Sequence, residues 1–213
     1  MVVRLAESLE MPLRERNALL LSAGYAPAYP QTALDDPELG PVLQALQRVI
    51  AAHMPYPAVV IDRRSDLVAA NDAFTRLVAD ADPELLEPPV NVARVVLHPH
   101  GLARRIVNLD DWAWHVLDNL GRQARRNPDE QLESLLEELE LLVPERPRSP
   151  GPDHLGFSVP LRLRSDAGEL RLLTTLTYFG TAVDVTVAEL KMEAFLPADA
   201  ETAAALNELA RCQ

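Results

Sequence analysis

The sequence predicts an α+β fold: a five-stranded antiparallel sheet with helices packed on one face, preceded by a short N-terminal helical remnant. Three observations predict it. A period-two stretch at 58–70 reads as two strands joined by a tight turn. A long middle section repeats its apolar residues at helical spacing. Period two then returns, giving three more strands between 157 and 195. Strands at both ends with helices gathered between them favour an antiparallel sheet over alternating βαβ units.

The N-terminal remnant comprises two short helices. In Val2–Leu9, residues Val2, Leu5 and Leu9 share a face. Pro12 suits the first turn of Leu13–Ala23, whose apolar stripe is Leu13, Leu19, Leu20 and Ala23, and Gly24 ends it. Helices this short need a partner to be stable. Ala26–Leu34 is a proline-containing connection. Asp36 then caps a helix with Pro37 at its first position, and Leu39, Leu43, Leu46 and Ile50 repeat along it until Pro55 and Pro57 end it. In Ala58–Phe74, Val59 and Ile61 alternate with Ala58 and Val60, Arg63 to Asp66 form the turn, and Leu67 to Ala70 form the return strand. Asn71 is placed to cap a helix starting at Asp72, which brings Phe74, Leu77 and Val78 to the core.

The acidic, proline-broken stretch Asp80–Pro89 reads as a loop, Asn91–Leu97 as a short apolar helix, and HPHG at 98–101 as a turn. Leu102–Val107 and Leu109–Arg126 read as helices. The second carries Leu109, Trp112, Val116 and Leu120 on one face, with Asp110 and Asp111 first and Arg122, Arg125 and Arg126 last, an order that suits the helix dipole. Asp129–Val143 is another helix, with leucines inward and a glutamate-rich outer face. Pro144–Pro152 is a link. Phe157, Val159, Leu161 and Leu163 then mark a strand that Pro160 assigns to an edge or a bulge. After the turn Asp166–Gly168, a strand alternates Leu170, Leu172, Thr174 and Leu176 with Arg171, Leu173, Thr175 and Thr177. The last strand, Glu189–Phe195, carries Leu190, Met192 and Ala194 on one face; Pro197 stops it and Asp199 caps a final helix, Ala200–Arg211.

Composition bounds the function. The chain has 213 residues, 48% of them hydrophobic, enough for one core. A formal charge of -12 argues against nucleic-acid binding by the chain as a whole. A single cysteine, Cys212, allows no internal disulfide. No apolar run reaches the roughly 18 residues of a membrane span, and the charged N-terminus is unlike a signal peptide. A cytoplasmic protein with no membrane partner is expected.

The order of elements resembles that of a PAS domain, and DRRSDLVAANDAF resembles the PAS pattern of turn, second strand and helix entry. More closely, LAESLEMPLRERNALLLSAGYAP (5–27), AVVIDRRSDLVAAND (58–72), NVARVVLHPHGLARRIVNLDDW (91–112), VPLRLRSDAGEL (159–170) and TLTYFGTAVDVTVAEL onward to LPAD (175–199) are similar to MmyB-like transcription regulators. The first of these stretches resembles the last two helices of an XRE-type helix-turn-helix domain. The resemblance implies three parts: 1–26 as those helices, 27–36 as a linker, and 37–213 as a PAS-like MmyB-type ligand-binding domain. It implies an effector sensor that takes a small apolar ligand, a fatty-acid-like molecule being one case, between sheet and helices. The alternative is a ligand-free dimerisation domain of the same regulator. A homodimer is expected, with DNA contacted only through a helix-turn-helix whose reading helix is not in this chain. Ser65 and Ala70 stand where relatives often place a bulky aromatic, so the hairpin has room for a cavity or for different packing.

A sensor of this kind needs an apolar cleft with a few polar groups to orient its ligand. The inward candidates from the hairpin and the helix after it are Val59, Ile61, Leu67, Ala69, Phe74 and Leu77. Trp112 and Val116 come from the long helix, and Leu161, Leu163, Leu172, Leu176 and Met192 from the late strands. Thr174, polar on an apolar face, is the candidate for hydrogen bonding to a ligand, although a backbone partner would also satisfy it. Arg104 and Arg105 are candidates to hold a carboxylate at the mouth. His98 and His100 have a His-x-His spacing, but a third ligand (His115, Asp110 or Asp111) would have to be supplied by the fold, so no metal and no cofactor are expected. No G-x-S-x-G, no nucleophilic cysteine in context and no glycine-rich phosphate loop is present, so the chain is not expected to be an enzyme.

Overall fold

The computed structural model describes residues 2–126, 128–143, 145–146, 155 and 158–211. Its centre is one five-stranded antiparallel sheet: β1 (Ala58–Ile61), β2 (Leu67–Ala70), β3 (Leu161–Ser165), β4 (Gly168–Tyr178) and β5 (Lys191–Pro197), in the order β2-β1-β5-β4-β3. The first hairpin and the late strands thus join through β1 and β5, with Val60 opposite Met192 and Ala58 opposite Ala194. This is the α+β, PAS-like arrangement expected from the sequence, and β3 is the edge strand that Pro160 demands.

The helices pack where the apolar residues put them. The large core lies on the inner face of the sheet, where Val59, Ile61, Leu161, Leu163, Leu172 and Phe195 meet the helices that follow the first hairpin. These are α4 (Asp72–Leu77), α5 (Val92–Leu97), α6 (Leu109–Arg126) and α7 (Glu130–Leu142). Trp112, Ala113, Leu117, Leu120 and Ala124 are the buried residues of α6, so its inward stripe is rotated from the expected one and Val116 is only partly buried. On the opposite face, α3 (Gly40–Ala51) lays Leu46 and Ile50 over Ala58, Val60, Met192 and Ala194. Burial on both faces explains why Met192 and Ala69 sit in this outer cluster, while Phe195 faces inward and stacks near Phe74 at 6.2 Å between ring centroids.

Several local expectations shift. Leu102–Val107 is a three-residue 3-10 turn (Ala103–Arg105), after which Ile106 bridges to Leu163 as a single β pair. The acidic loop holds a 3-10 turn at Pro83–Leu86, which Asp82 caps by accepting from the Glu84 amide. A 3-10 turn, Pro37–Leu39, carries the Asp36 cap, and α3 begins after it. β3 starts at Leu161, because the backbone before it is held otherwise: the Asn108 side chain donates to the Pro160 carbonyl at 2.8 Å. A short helix, α8 (Val185–Glu189), precedes β5, and Asp184 caps it. Most of the proline-rich link, Phe157 and Cys212 lie outside the described residues.

The two N-terminal helices, α1 (Val2–Ser8) and α2 (Leu13–Ser22), form a hairpin whose buried residues are Ala6 and Leu20. The segment after it is tied to α8. Asp184 accepts from the amide and hydroxyl of Thr32 at 3.0 and 2.7 Å, and the Val185 amide donates to the Pro30 carbonyl. Asn17 ties the hairpin to that segment through the amides of Ala28 and Tyr29. The final helix, α9 (Ala200–Arg211), buries Leu206 in the main core.

Candidate functional site

Side chains on the inner face of β4 run Leu170, Leu172, Thr174, Leu176, Tyr178. Helices cover the first two completely. Beyond them the cover stops: Leu176 is 43% exposed and Tyr178 63% exposed. Opposite these, in register, stand Glu193 and Lys191 of β5. The sheet therefore continues past the helical cover and becomes the floor of a cleft of about 460 Å³.

Three walls enclose that floor. The C-terminal half of α6 contributes Asn119, Arg122, Gln123 and Arg126. The start of α2 contributes Leu13, Arg14 and Arg16, and the β4–α8 connection with α8 itself contributes Phe179, Val185 and Glu189. Arg63, from the β1–β2 turn, closes the far side. The volume lies within the range of small-molecule sites. Its floor is apolar at Leu176 and Tyr178, and its rim is cationic in a chain whose formal charge is -12.

The cations are held in place rather than loose. Arg14 donates to both carboxylate oxygens of Glu189, at 2.5 and 2.8 Å, and this bond raises its pKa above the ordinary arginine value. Arg63 donates to Asp129 and lies 4.0 Å from Glu189. Asp129 also accepts from Arg64 at 3.0 Å and caps α7 by accepting from the Gln131 and Leu132 amides. Burial opposes the Asp129 charge, but the Arg64 bond, the Leu132 amide and the two arginine charges outweigh it and hold the carboxyl below its usual value. The result is a chain of ion pairs, Arg14–Glu189–Arg63–Asp129–Arg64, that joins α2, α8, the hairpin turn and α7. At the cleft floor Lys191, 8% exposed, pairs with Glu193 at 3.3 Å.

The residues singled out from sequence fall into distinct places. Val59, Ile61, Phe74, Leu77, Trp112, Leu161, Leu163 and Leu172 are buried together in the main core, with Leu67 and Val116 at its margin. Ala69 and Met192 belong to the cluster under α3. Leu176 lines the cleft. Thr174 lies between core and cleft, and its buried hydroxyl finds no hydrogen-bond partner among the described residues. Such a group is costly unless something meets it. Thr174→Val is therefore expected to stabilise the ligand-free chain by about 1 kcal/mol, read as a higher midpoint in denaturant unfolding.

Arg104 and Arg105 brace the chain away from the cleft. Arg104 donates to the Asp80 carbonyl at 2.5 Å, and Arg105 donates to the carbonyls of Arg164 and Leu77. The cleft arginines come instead from three separate elements, α2, α6 and the hairpin turn, and no local motif marks them. His98 and His100 lie in the turn before the 3-10 segment, where the His100 amide donates to His98 Nδ1 at 3.1 Å. Among the described residues no helix is long and apolar enough to cross a membrane.

The MmyB-like transcription regulator ligand binding domain family matches residues 42–209. A comparison with curated proteins returned no match. The match spans most of the chain and all five strands, and the chain belongs to this family, as its sequence resemblance implies.

Proposed function

We propose that this member of the MmyB-like ligand-binding family is the effector-sensing part of a helix-turn-helix transcription regulator. Its effector is a small amphiphile with an apolar chain and an acidic head, of which a fatty-acid-like molecule is the simplest case. One observation carries this reading: the inner sheet face runs out from under its helices into a cleft with an apolar floor and an arginine rim. An apolar chain laid on Leu176, Tyr178 and Phe179 removes exposed apolar surface from water, and an anionic head meets fixed guanidinium groups. This places the ligand at the open end of the sheet, beside Leu176, and leaves the residues under Trp112 as packed core.

The test uses native mass spectrometry of the purified chain, followed by titration with dodecanoate. A retained acid, or a rise in melting temperature with dodecanoate, supports the reading. Leu176→Glu places a carboxylate on the cleft floor at an already exposed position. It is expected to weaken dodecanoate binding at least about tenfold while leaving unfolding within about 0.5 kcal/mol of the parent. Absence of any acid adduct together with no shift across a series of straight-chain carboxylates would count decisively against it.

A further inference from the structure

The cleft is built partly from the N-terminal hairpin, and its arginines already hold a carboxylate of the protein itself. Glu189 is the last residue of α8 and occupies the point between Arg14 of α2 and Arg63 of the hairpin turn. Both arginines line the cleft, as does Glu189. The Glu189 side chain keeps 18% of its surface exposed, Arg14 keeps 29% and Arg63 23%, so a molecule in the cleft reaches all three.

We infer that Glu189 is an internal stand-in for the effector's acidic head, and that the effector displaces it from Arg14 and so loosens the α1–α2 hairpin where it meets α8. The inference rests on the acidic-amphiphile reading and adds the route by which occupancy is transmitted. A carboxylate between two guanidinium groups is a fixed partner in the empty cleft and a competitor when a ligand anion arrives. The connection behind the hairpin is anchored independently, through Thr32 to Asp184 and Pro30 to Val185. The Arg14–Glu189 pair is a direct side-chain link from α2 to α8, while Asn17 keeps α2 on the anchored connection through Ala28 and Tyr29. With only Ala6 and Leu20 buried, the hairpin has too little core to stay rigid once loosened. A ligand that binds better to the loosened state shifts the population towards it, which is what coupling between the two sites requires.

The groups facing the pair set its chemistry. Arg14 also donates to Gln31, Arg63 is shared with Asp129, and Lys191 on the floor is engaged by Glu193. Glu189 is thus the acidic residue that an incoming anion meets between α2 and the turn.

Hydrogen exchange of residues 2–22 in the full chain, with dodecanoate and with dodecanol as the uncharged control, tests this. Dodecanoate is expected to speed exchange in α2 several-fold, whereas dodecanol leaves it unchanged. Glu189→Gln is expected to exchange fast before any ligand is added and to bind dodecanoate about fivefold more tightly, since no carboxylate competes. Arg14→Gln is expected to exchange fast as well, but without the gain in affinity, because the receiving cation has gone. If dodecanoate binds at the Leu176 floor while exchange in 2–22 stays constant, or if Glu189→Gln binds no tighter than the parent, the displacement mechanism is wrong and the binding reading stands. If neither probe binds at all, both are overturned.

Discussion

Asn71→Ala is expected to lower the unfolding free energy by about 4 kcal/mol, the largest single-residue effect put forward for this chain. Asn71 is buried, and its amide uses every bonding position it has. The side-chain oxygen accepts from the Ala58 amide at 3.0 Å and from the Phe74 amide at 3.0 Å. The side-chain nitrogen donates to the carbonyls of Ile50 and Tyr56, at 3.1 and 2.9 Å. One side chain thus caps α4, starts β1 and holds the end of α3. Losing a cap costs about 1 kcal/mol. Each backbone group left buried without a partner adds about 1–3 kcal/mol. The Ile50 carbonyl keeps the His53 amide as a second donor, which limits the sum. At about 2–4 °C per kcal/mol for a chain of this size, the melting temperature should fall by roughly 12 °C. Asn71→Asp separates the cap from the network: its carboxylate still accepts from both amides but turns a negative group towards two carbonyl oxygens. That variant should be destabilised by about 3 kcal/mol at neutral pH and should recover part of the loss in acid, where a protonated carboxyl donates again. A loss of under 1 kcal/mol in the alanine variant would show that the neighbouring backbone repairs itself.

Asn71 also shows what the sequence made legible. A strong cap residue followed by Asp72 and a helical run predicts the start of α4, and the structure places it there. The tertiary bonds of the same side chain to Ile50 and Tyr56 have no signal, because they depend on where α3 crosses the sheet. Strand alternation was readable where one face is wet. In β4, Leu170 and Leu172 are buried on either side of exposed Arg171. In β5 both Met192 and Phe195 are buried, since α3 covers one face and the main core the other. Period two then finds the strand but not its inward side, and the alternation alone singles out Met192 rather than Phe195. Helix α8 was missed because VTVAE is β-branched and too short for periodicity; the Asp184 cap was its one available mark. The cleft was the least legible feature. Leu176 was visible as an apolar residue on a strand, but Arg14, Arg63 and Arg122 each look like solvated surface charges. Only the crossing of α2, α6 and the hairpin turn brings them together.

Asp129→Ala is expected to cost about 3 kcal/mol, and the loss should be pH-dependent in a way that identifies its cause. The Asp129 side chain is 4% exposed and does two jobs: it caps α7, and it takes Arg63 and Arg64 from the hairpin turn. The cap accounts for about 1 kcal/mol. Removing the carboxylate also takes the paired charge from Arg64 and leaves Arg63 only the 4.0 Å contact with Glu189; Arg63 and Arg64 keep 23% and 34% of their side-chain surface, so the penalty is well below that of a fully buried charge. Asp129→Asn keeps an oxygen for the α7 amides and should lose only the charge contribution, about 2 kcal/mol. The folded chain holds the Asp129 carboxyl below its usual value, so it binds fewer protons there than the unfolded chain does. Its contribution is therefore complete above the unfolded carboxyl value of about 4 and is lost as pH falls through the lower folded value. Glu138, Glu169, Asp184 and Asp199 are lowered too, and Asp62 is raised by burial, but all five remain in the variant and cancel in the difference. The gap in unfolding free energy between the parent and Asp129→Asn, measured by denaturant titration from pH 6 downwards, should hold at about 2 kcal/mol and close only in strong acid. A gap that stays constant through the acid range would assign the effect to packing. Arg63 links the same network to Glu189, so closure of the gap in acid would also show that the cation rim of the cleft is held by charge, the state on which the proposed acidic effector would act.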